Sequence, residues 1–154
     1  MANKGLEKAY SAAFLLLKYR PRSVREMADR LRRRKFPPEV IEEVLGSLQA
    51  KKFLDDKAFT RAWVDSRAGQ RFGERRIRQE LRLKGIAPEL INESMDELRG
   101  RCPEGETIEE SAREKLRKLK DLDPQTAKRR LYSYFLRRGF SPETVIDTIN
   151  RLIS

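Results

Sequence analysis

Leu31-Arg32-Arg33-Arg34-Lys35-Phe36-Pro37-Pro38-Glu39-Val40-Ile41 is followed at helical spacing by Leu45 and Leu48. The same order returns 50 residues later as Leu81-Arg82-Leu83-Lys84-Gly85-Ile86-Ala87-Pro88-Glu89-Leu90-Ile91, then Met95 and Leu98. It returns again after a further 54 residues as Phe135-Leu136-Arg137-Arg138-Gly139-Phe140-Ser141-Pro142-Glu143-Thr144-Val145, then Ile149 and Leu152. Each copy reads as a helix end, a small or basic residue, an apolar residue, a spacer, Pro-Glu and a new amphipathic helix. Gly85 and Gly139 suit the left-handed position that follows a helix. A proline two or three residues later fits the first turn of the next helix, where its missing N–H costs nothing. The adjoining glutamate suits the positive helix end. Three copies in register predict repeated helical units rather than one irregular domain.

Working outward, each copy has room for one more helix upstream. In the first, Ser23 and Glu26 form a capping box ahead of an apolar stripe of Val24, Met27, Ala28 and Leu31. An earlier stripe of Ala9, Ala13, Leu16 and Leu17 ends near Pro21. In the second, Asp55 and Asp56 cap a helix expected to turn Phe59, Ala62, Trp63 and Ser66 to one side. Gly73 separates it from a helix with Ile77 and Leu81 inward. In the third, Ile108, Ala112, Leu116 and Leu119 mark a helix that stops near Pro124. Asp123 then caps the next, with Leu131 and Phe135 inward. The stretch 99–106, with Gly100, Pro103 and Gly105, reads as a flexible joint. No segment alternates like a strand. The expected fold is all-α: three tandem three-helix repeats at 1–54, 55–100 and 101–154, stacked into an elongated, curved array.

Composition narrows the function. The 154 residues carry 35 Lys and Arg against 24 Asp and Glu, a formal charge of +11 that favours anionic partners. The longest apolar run, Ala12 to Leu17, is far short of the roughly 20 residues that cross a bilayer, so no membrane role is expected. A single cysteine, Cys102, excludes an internal disulfide and fits a reducing, cytoplasmic setting. The absence of histidine removes the Ser–His–Asp and Cys–His catalytic arrangements and disfavours structural zinc. No glycine-rich phosphate loop is present. Asp55-Asp56 reads as a helix cap rather than a metal or catalytic pair, so no metal, cofactor or catalytic residue is expected.

Charge is sorted by helix. The middle helix of each unit is basic: from Lys128 to Arg138 there are five cations and no acid. The third helices of the first two units lean acidic, with Glu39, Glu42 and Glu43, then Glu89, Glu93, Asp96 and Glu97. At 100° per residue Arg75, Arg78 and Arg82 share a face opposite Ile77 and Leu81, so one side packs and the other presents guanidinium groups. Trp63 reads as core. Tyr132, Phe135 and Leu136 read as inward-facing, leaving Tyr134 as a surface aromatic among arginines, the pattern of a stacking platform.

Two stretches, Phe53-Leu54-Asp55-Asp56-Lys57-Ala58-Phe59-Thr60-Arg61-Ala62-Trp63 to Arg67 and Phe72-Gly73-Glu74-Arg75-Arg76-Ile77 to Ile86, resemble the central signature of the RecX regulators of the RecA recombinase. The resemblance implies a non-enzymatic protein, acting as a monomer, that binds the RecA filament on single-stranded DNA. It implies restraint of strand exchange, ATP hydrolysis and co-protease activity, in DNA repair and the SOS response. Single-stranded DNA would be contacted directly or through the filament. By position, the filament- and nucleic-acid-binding residues would be Arg67, Arg75, Arg76, Arg78, Arg82 and Lys84. Arg25, Arg32, Arg33, Arg129, Arg130, Arg137 and Arg138 stand at comparable places in the flanking units. The alternative is a stand-alone DNA- or RNA-binding protein of helix-turn-helix-like units. It would lose affinity steeply with salt in the absence of any recombinase.

Overall fold

The computed structural model describes residues 3–153. Nine helices follow one another, with no strand among the described residues: α1 (Asn3–Tyr19), α2 (Val24–Arg33), α3 (Pro38–Ala50), α4 (Asp56–Gly69), α5 (Glu74–Leu83), α6 (Pro88–Arg101), α7 (Glu104–Lys118), α8 (Pro124–Arg137) and α9 (Pro142–Leu152). The repeated signature is the α2–α3, α5–α6 and α8–α9 turn. In each, the apolar residue donates its N–H back five residues: Phe36 to Leu31, Ile86 to Leu81, and Phe140 to Phe135. The residue before it donates back three, closing the Schellman arrangement. Gly85 and Gly139 take φ of 75° and 91°, as expected of glycine there. In the first copy Lys35 adopts the same region at φ 66°, a conformation that costs a side-chain-bearing residue about 1–2 kcal/mol.

The helices form two compact units. One comprises the chain up to Ala62 with Leu81–Leu90; the other comprises Trp63–Glu80 with the chain from Ile91. In the first, α1, α2 and α3 pack together around Ala13, Met27, Leu31, Val44 and Leu48. Small residues on α1 let the helices approach closely. In the second, α7, α8 and α9 enclose Ile108, Ala112, Leu131, Phe135 and Ile149.

Each unit contains the same joint between repeats. In the first, the start of α2 docks on the Lys84–Gly85 turn. Ser23 Oγ donates to the Lys84 carbonyl at 2.7 Å, and the Arg25 stem lies over Gly85 so closely that a Cβ there would sit 2.1 Å from Arg25 Cδ. In the second, the start of α5 docks on the Arg138–Gly139 turn. Gly73 N–H donates to the Arg138 carbonyl at 2.8 Å, and Arg75 N–H to the Gly139 carbonyl at 3.0 Å. A Cβ on Gly73 would lie 2.3 Å from Phe140 N, so only glycine permits this backbone approach.

Two local expectations are corrected. The stretch 99–106 is not a joint: α6 runs through Gly100 to Arg101, α7 begins at Glu104, and only Cys102 and Pro103 lie between. Glu104 ties the region down, since its two carboxylate oxygens accept from Glu74 N–H at 2.8 Å and Ser141 N–H at 3.1 Å, serving the starts of α5 and α9 together. The buried side of α4 is Phe59, Thr60 and Val64, while Ala62 and Ser66 are exposed. The helix is rotated because the half-buried Trp63 turns its indole N–H to Glu80 Oε1 at 3.2 Å.

Candidate functional site

The structure divides the expected basic residues into those held by the protein and those left to solvent. Around α4 and α5, Glu80 gathers cations: Arg67 Nε donates to Oε1 at 2.9 Å, its Nη2 to Oε2, and Arg76 lies 3.6 Å away. Burial alone would raise the Glu80 carboxyl, but the bonds from Arg67 and Trp63 outweigh it and hold it below its ordinary value. Glu74 does the same for Arg78 and Arg99, each with a 3.0 Å bond, and is likewise held low against the effect of burial. Arg78 also donates to Asn92 at 2.8 Å. Arg138 donates to the Arg71 carbonyl at 2.9 Å and to the Gln70 carbonyl, completing the end of α4. Its guanidinium and those of Arg76 and Arg67 lie 4.0, 4.0 and 4.8 Å from the Phe72 ring centroid. Lys84 pairs with Glu26 at 3.3 Å. Burial would raise Glu26, yet the Arg20 bond, the Ser23 N–H and Lys84 bring it down to about 2.

Arg32 pairs with Asp29 at 2.7 Å on the exposed side of α2, and Arg33 and Arg25 stand exposed beside it. On α5, Arg75 and Arg82 are exposed while Arg78, between them, is half-buried in its ion pair, so the expected three-arginine face presents two.

On α7 and α8 the pattern reverses. A groove of about 580 Å³ carries Lys115 and Lys118 on its α7 side and Arg129, Arg130 and Arg137 on α8, over Leu119 and Leu131. No acid lines it. Arg129 makes a 3.4 Å bond to Thr126 Oγ1. Lys115 Nζ lies 3.8 Å from the Tyr134 ring centroid. Lys118, Arg130 and Arg137 have no side-chain partner among the described residues. The groove exists because Asp123 accepts the Thr126 N–H at 3.0 Å and starts α8 there, while Ile108 and Ala112 turn the rest of α7 inward. Arg129, Arg130 and Arg137 were expected from sequence. Lys115 and Lys118 were not, although they follow the inward Ala112 at a spacing that places them beside the α7 stripe. Leu136 is exposed rather than inward, and Tyr132 is half-buried with its hydroxyl 2.5 Å from Asn150 Oδ1.

Comparison with known proteins settles the family. Models of the first, second and third three-helix domains of RecX match residues 9–48, 55–95 and 104–149. The chain belongs to the RecX family. The Regulatory protein RecX of Streptomyces lividans is 34% identical over 153 residues, covering 96% of this chain and 79% of its own length. That of Haemophilus influenzae strain PittGG is 31% identical over 144 residues, covering 93% of each. The crystal structure of RecX from Lactobacillus salivarius superposes with a TM-score of 0.85 over 99% of this chain and 98% of that one, at 21% identity, a likeness of fold. Three consecutive RecX domains account for the threefold signature, and the all-α repeat fold expected from it is the fold observed. The relatives' names give the chain the role of a regulatory protein. No helix among the described residues is long and apolar enough to cross a membrane.

Proposed function

We propose that this chain restrains a RecA recombinase filament on single-stranded DNA, slowing ATP hydrolysis, strand exchange and co-protease activity without chemistry of its own. The observation that carries the reading is the set of unpaired cations on α8 and its neighbour α7, in a protein that pairs Arg67, Arg76 and Arg78 of α4 and α5 internally. Uncompensated positive charge in one groove calls for an anionic partner. The three segments 1–54, 55–100 and 101–154 each offer basic residues on their middle helix. Weak contacts linked in one chain bind a repeating polymer tightly through effective concentration. Within the expected set, Arg33, Arg75, Arg82, Arg129, Arg130 and Arg137 are the contact residues. Arg67, Arg76, Arg78 and Arg138 support the scaffold that carries them. The chain works as a cytoplasmic monomer.

The test adds the protein to RecA filaments preformed on single-stranded DNA and follows ATPase rate and co-sedimentation. Inhibition at or below one protein per recombinase is expected. No inhibition and no co-sedimentation across several salt concentrations would refute the proposal.

A further inference from the structure

We infer that the α7–α8 groove docks an acidic protein segment bearing an apolar anchor residue, rather than a nucleic-acid strand. The inference deepens the regulatory reading, and rests on it only in taking the groove as a contact point. Charge complementarity is the first argument: cations stand on both walls with no carboxylate among them. Guanidinium groups donate to carboxylates in two-bond pairs, and Arg130 and Arg137 have no competing partner among the described residues.

The groove interior decides between the two classes of polyanion. Its base is aliphatic, Leu119 and Leu131, and its volume of about 580 Å³ accommodates one or two apolar side chains. A single strand held without sequence preference needs free aromatic faces on which bases stack. Tyr134 is the aromatic side chain lining this groove, and a cation already stands against its half-buried ring. Lys115 Nζ lies 3.8 Å and the Arg138 guanidinium 5.5 Å from its centroid, and the Phe135 ring stands nearly perpendicular to it at 5.0 Å. Leu131 is already buried in the α7–α9 core, but phosphates alone would leave the partly exposed Leu119 wet. An amphipathic acidic helix satisfies both the base and the rim, with an apolar residue on Leu119 and glutamates one turn either side.

The probe is a fluorescein-labelled peptide repeating Glu-Glu-Leu-Glu-Glu-Phe, titrated into the full chain by fluorescence polarisation and amide NMR. Controls carry Gln for Glu, or Ser for Leu and Phe, beside labelled oligothymidylate. Micromolar binding is expected, with shifts in the amides of Lys115–Leu119 and Arg129–Arg137. Each control peptide should lose about tenfold, and the exposed pair Lys118→Glu/Arg130→Glu a similar factor, with unchanged far-UV circular dichroism. Three results would overturn the inference: no peptide binding, equal binding of the Ser control, or groove shifts with oligothymidylate alone. A chain that inhibits the recombinase yet ignores the peptide fails this inference only. One that binds the peptide but leaves the filament untouched fails the regulatory reading only.

Discussion

Replacing Arg67 or Arg130 by alanine separates scaffold from site, because the two arginines differ in what they leave behind. Arg67 donates twice to Glu80 and lies 5.0 Å from the Trp63 ring centroid and 4.8 Å from that of Phe72. The side chains of Arg67 and Glu80 are only 23% and 17% exposed, so water screens the pair weakly. Charged hydrogen bonds contribute about 1.5–3 kcal/mol and each ring contact about 0.5–1. Glu80 keeps the Trp63 N–H and Arg76 after the change, which limits the loss. The expected cost is about 2–3 kcal/mol, or about 4–12 °C in melting temperature for a chain of this size. Arg130 is exposed and has no partner among the described residues, so its truncation should move stability by no more than about 0.5 kcal/mol. The assays are thermal unfolding by circular dichroism and inhibition of recombinase ATPase. Arg67→Ala should lower the melting point and, below it, inhibit normally; Arg130→Ala should melt normally and inhibit more weakly. Normal melting of Arg67→Ala, with lost inhibition, would show that the internal pair does not form in solution and that Arg67 is a contact residue.

Three further outcomes follow from the scaffold. Glu104→Ala removes an acceptor shared by two helix starts and should cost about 2–4 kcal/mol in urea unfolding; a neutral result would deny the shared cap. Gly73→Ala places a Cβ 2.3 Å from Phe140 N, parting the two backbone bonds of that joint, and should cost more than about 2 kcal/mol, with faster exchange of the Arg75 amide. Glu26 falls from an ordinary 4.5 to about 2 on folding, so its contribution is fully present above the unfolded value and is lost as pH falls through the folded one. At most about 3 kcal/mol is at stake, reduced by screening at the half-exposed Arg20. Unfolding midpoints should therefore drop between about pH 5 and pH 2. Glu26→Gln should flatten that slope, and an unchanged slope would refute the low value.

Much of the local architecture was legible because its causes lie a few residues apart. The Ser23–Glu26 capping box is present with both bonds at 3.1 Å, and Asp123 caps α8 as its sequence setting suggested. Pro38, Pro88 and Pro142 each begin a helix. The reading of 99–106 as flexible went astray because glycine and proline content says nothing about Glu104, whose partners lie 30 and 37 residues away. The face of α4 was misassigned because alanine and serine carry little hydrophobic signal, and the bond from Trp63 to Glu80 set the rotation. That Lys115, on another helix, stands 3.8 Å from the Tyr134 ring centroid could not be read from the sequence.

By itself the sequence determined the helices, their caps, the threefold turn and a surplus of positive charge, since each depends on neighbours in the chain or on composition alone. Tertiary structure alone decided which cations are free. Arg67, Arg71 and Arg138 find their partners 13, 43 and 68 positions away, and no periodicity reports such pairings. A guanidinium counts toward a binding surface only when folding brings no carboxylate or carbonyl within reach of it, and that is a property of packed helices rather than of any one of them.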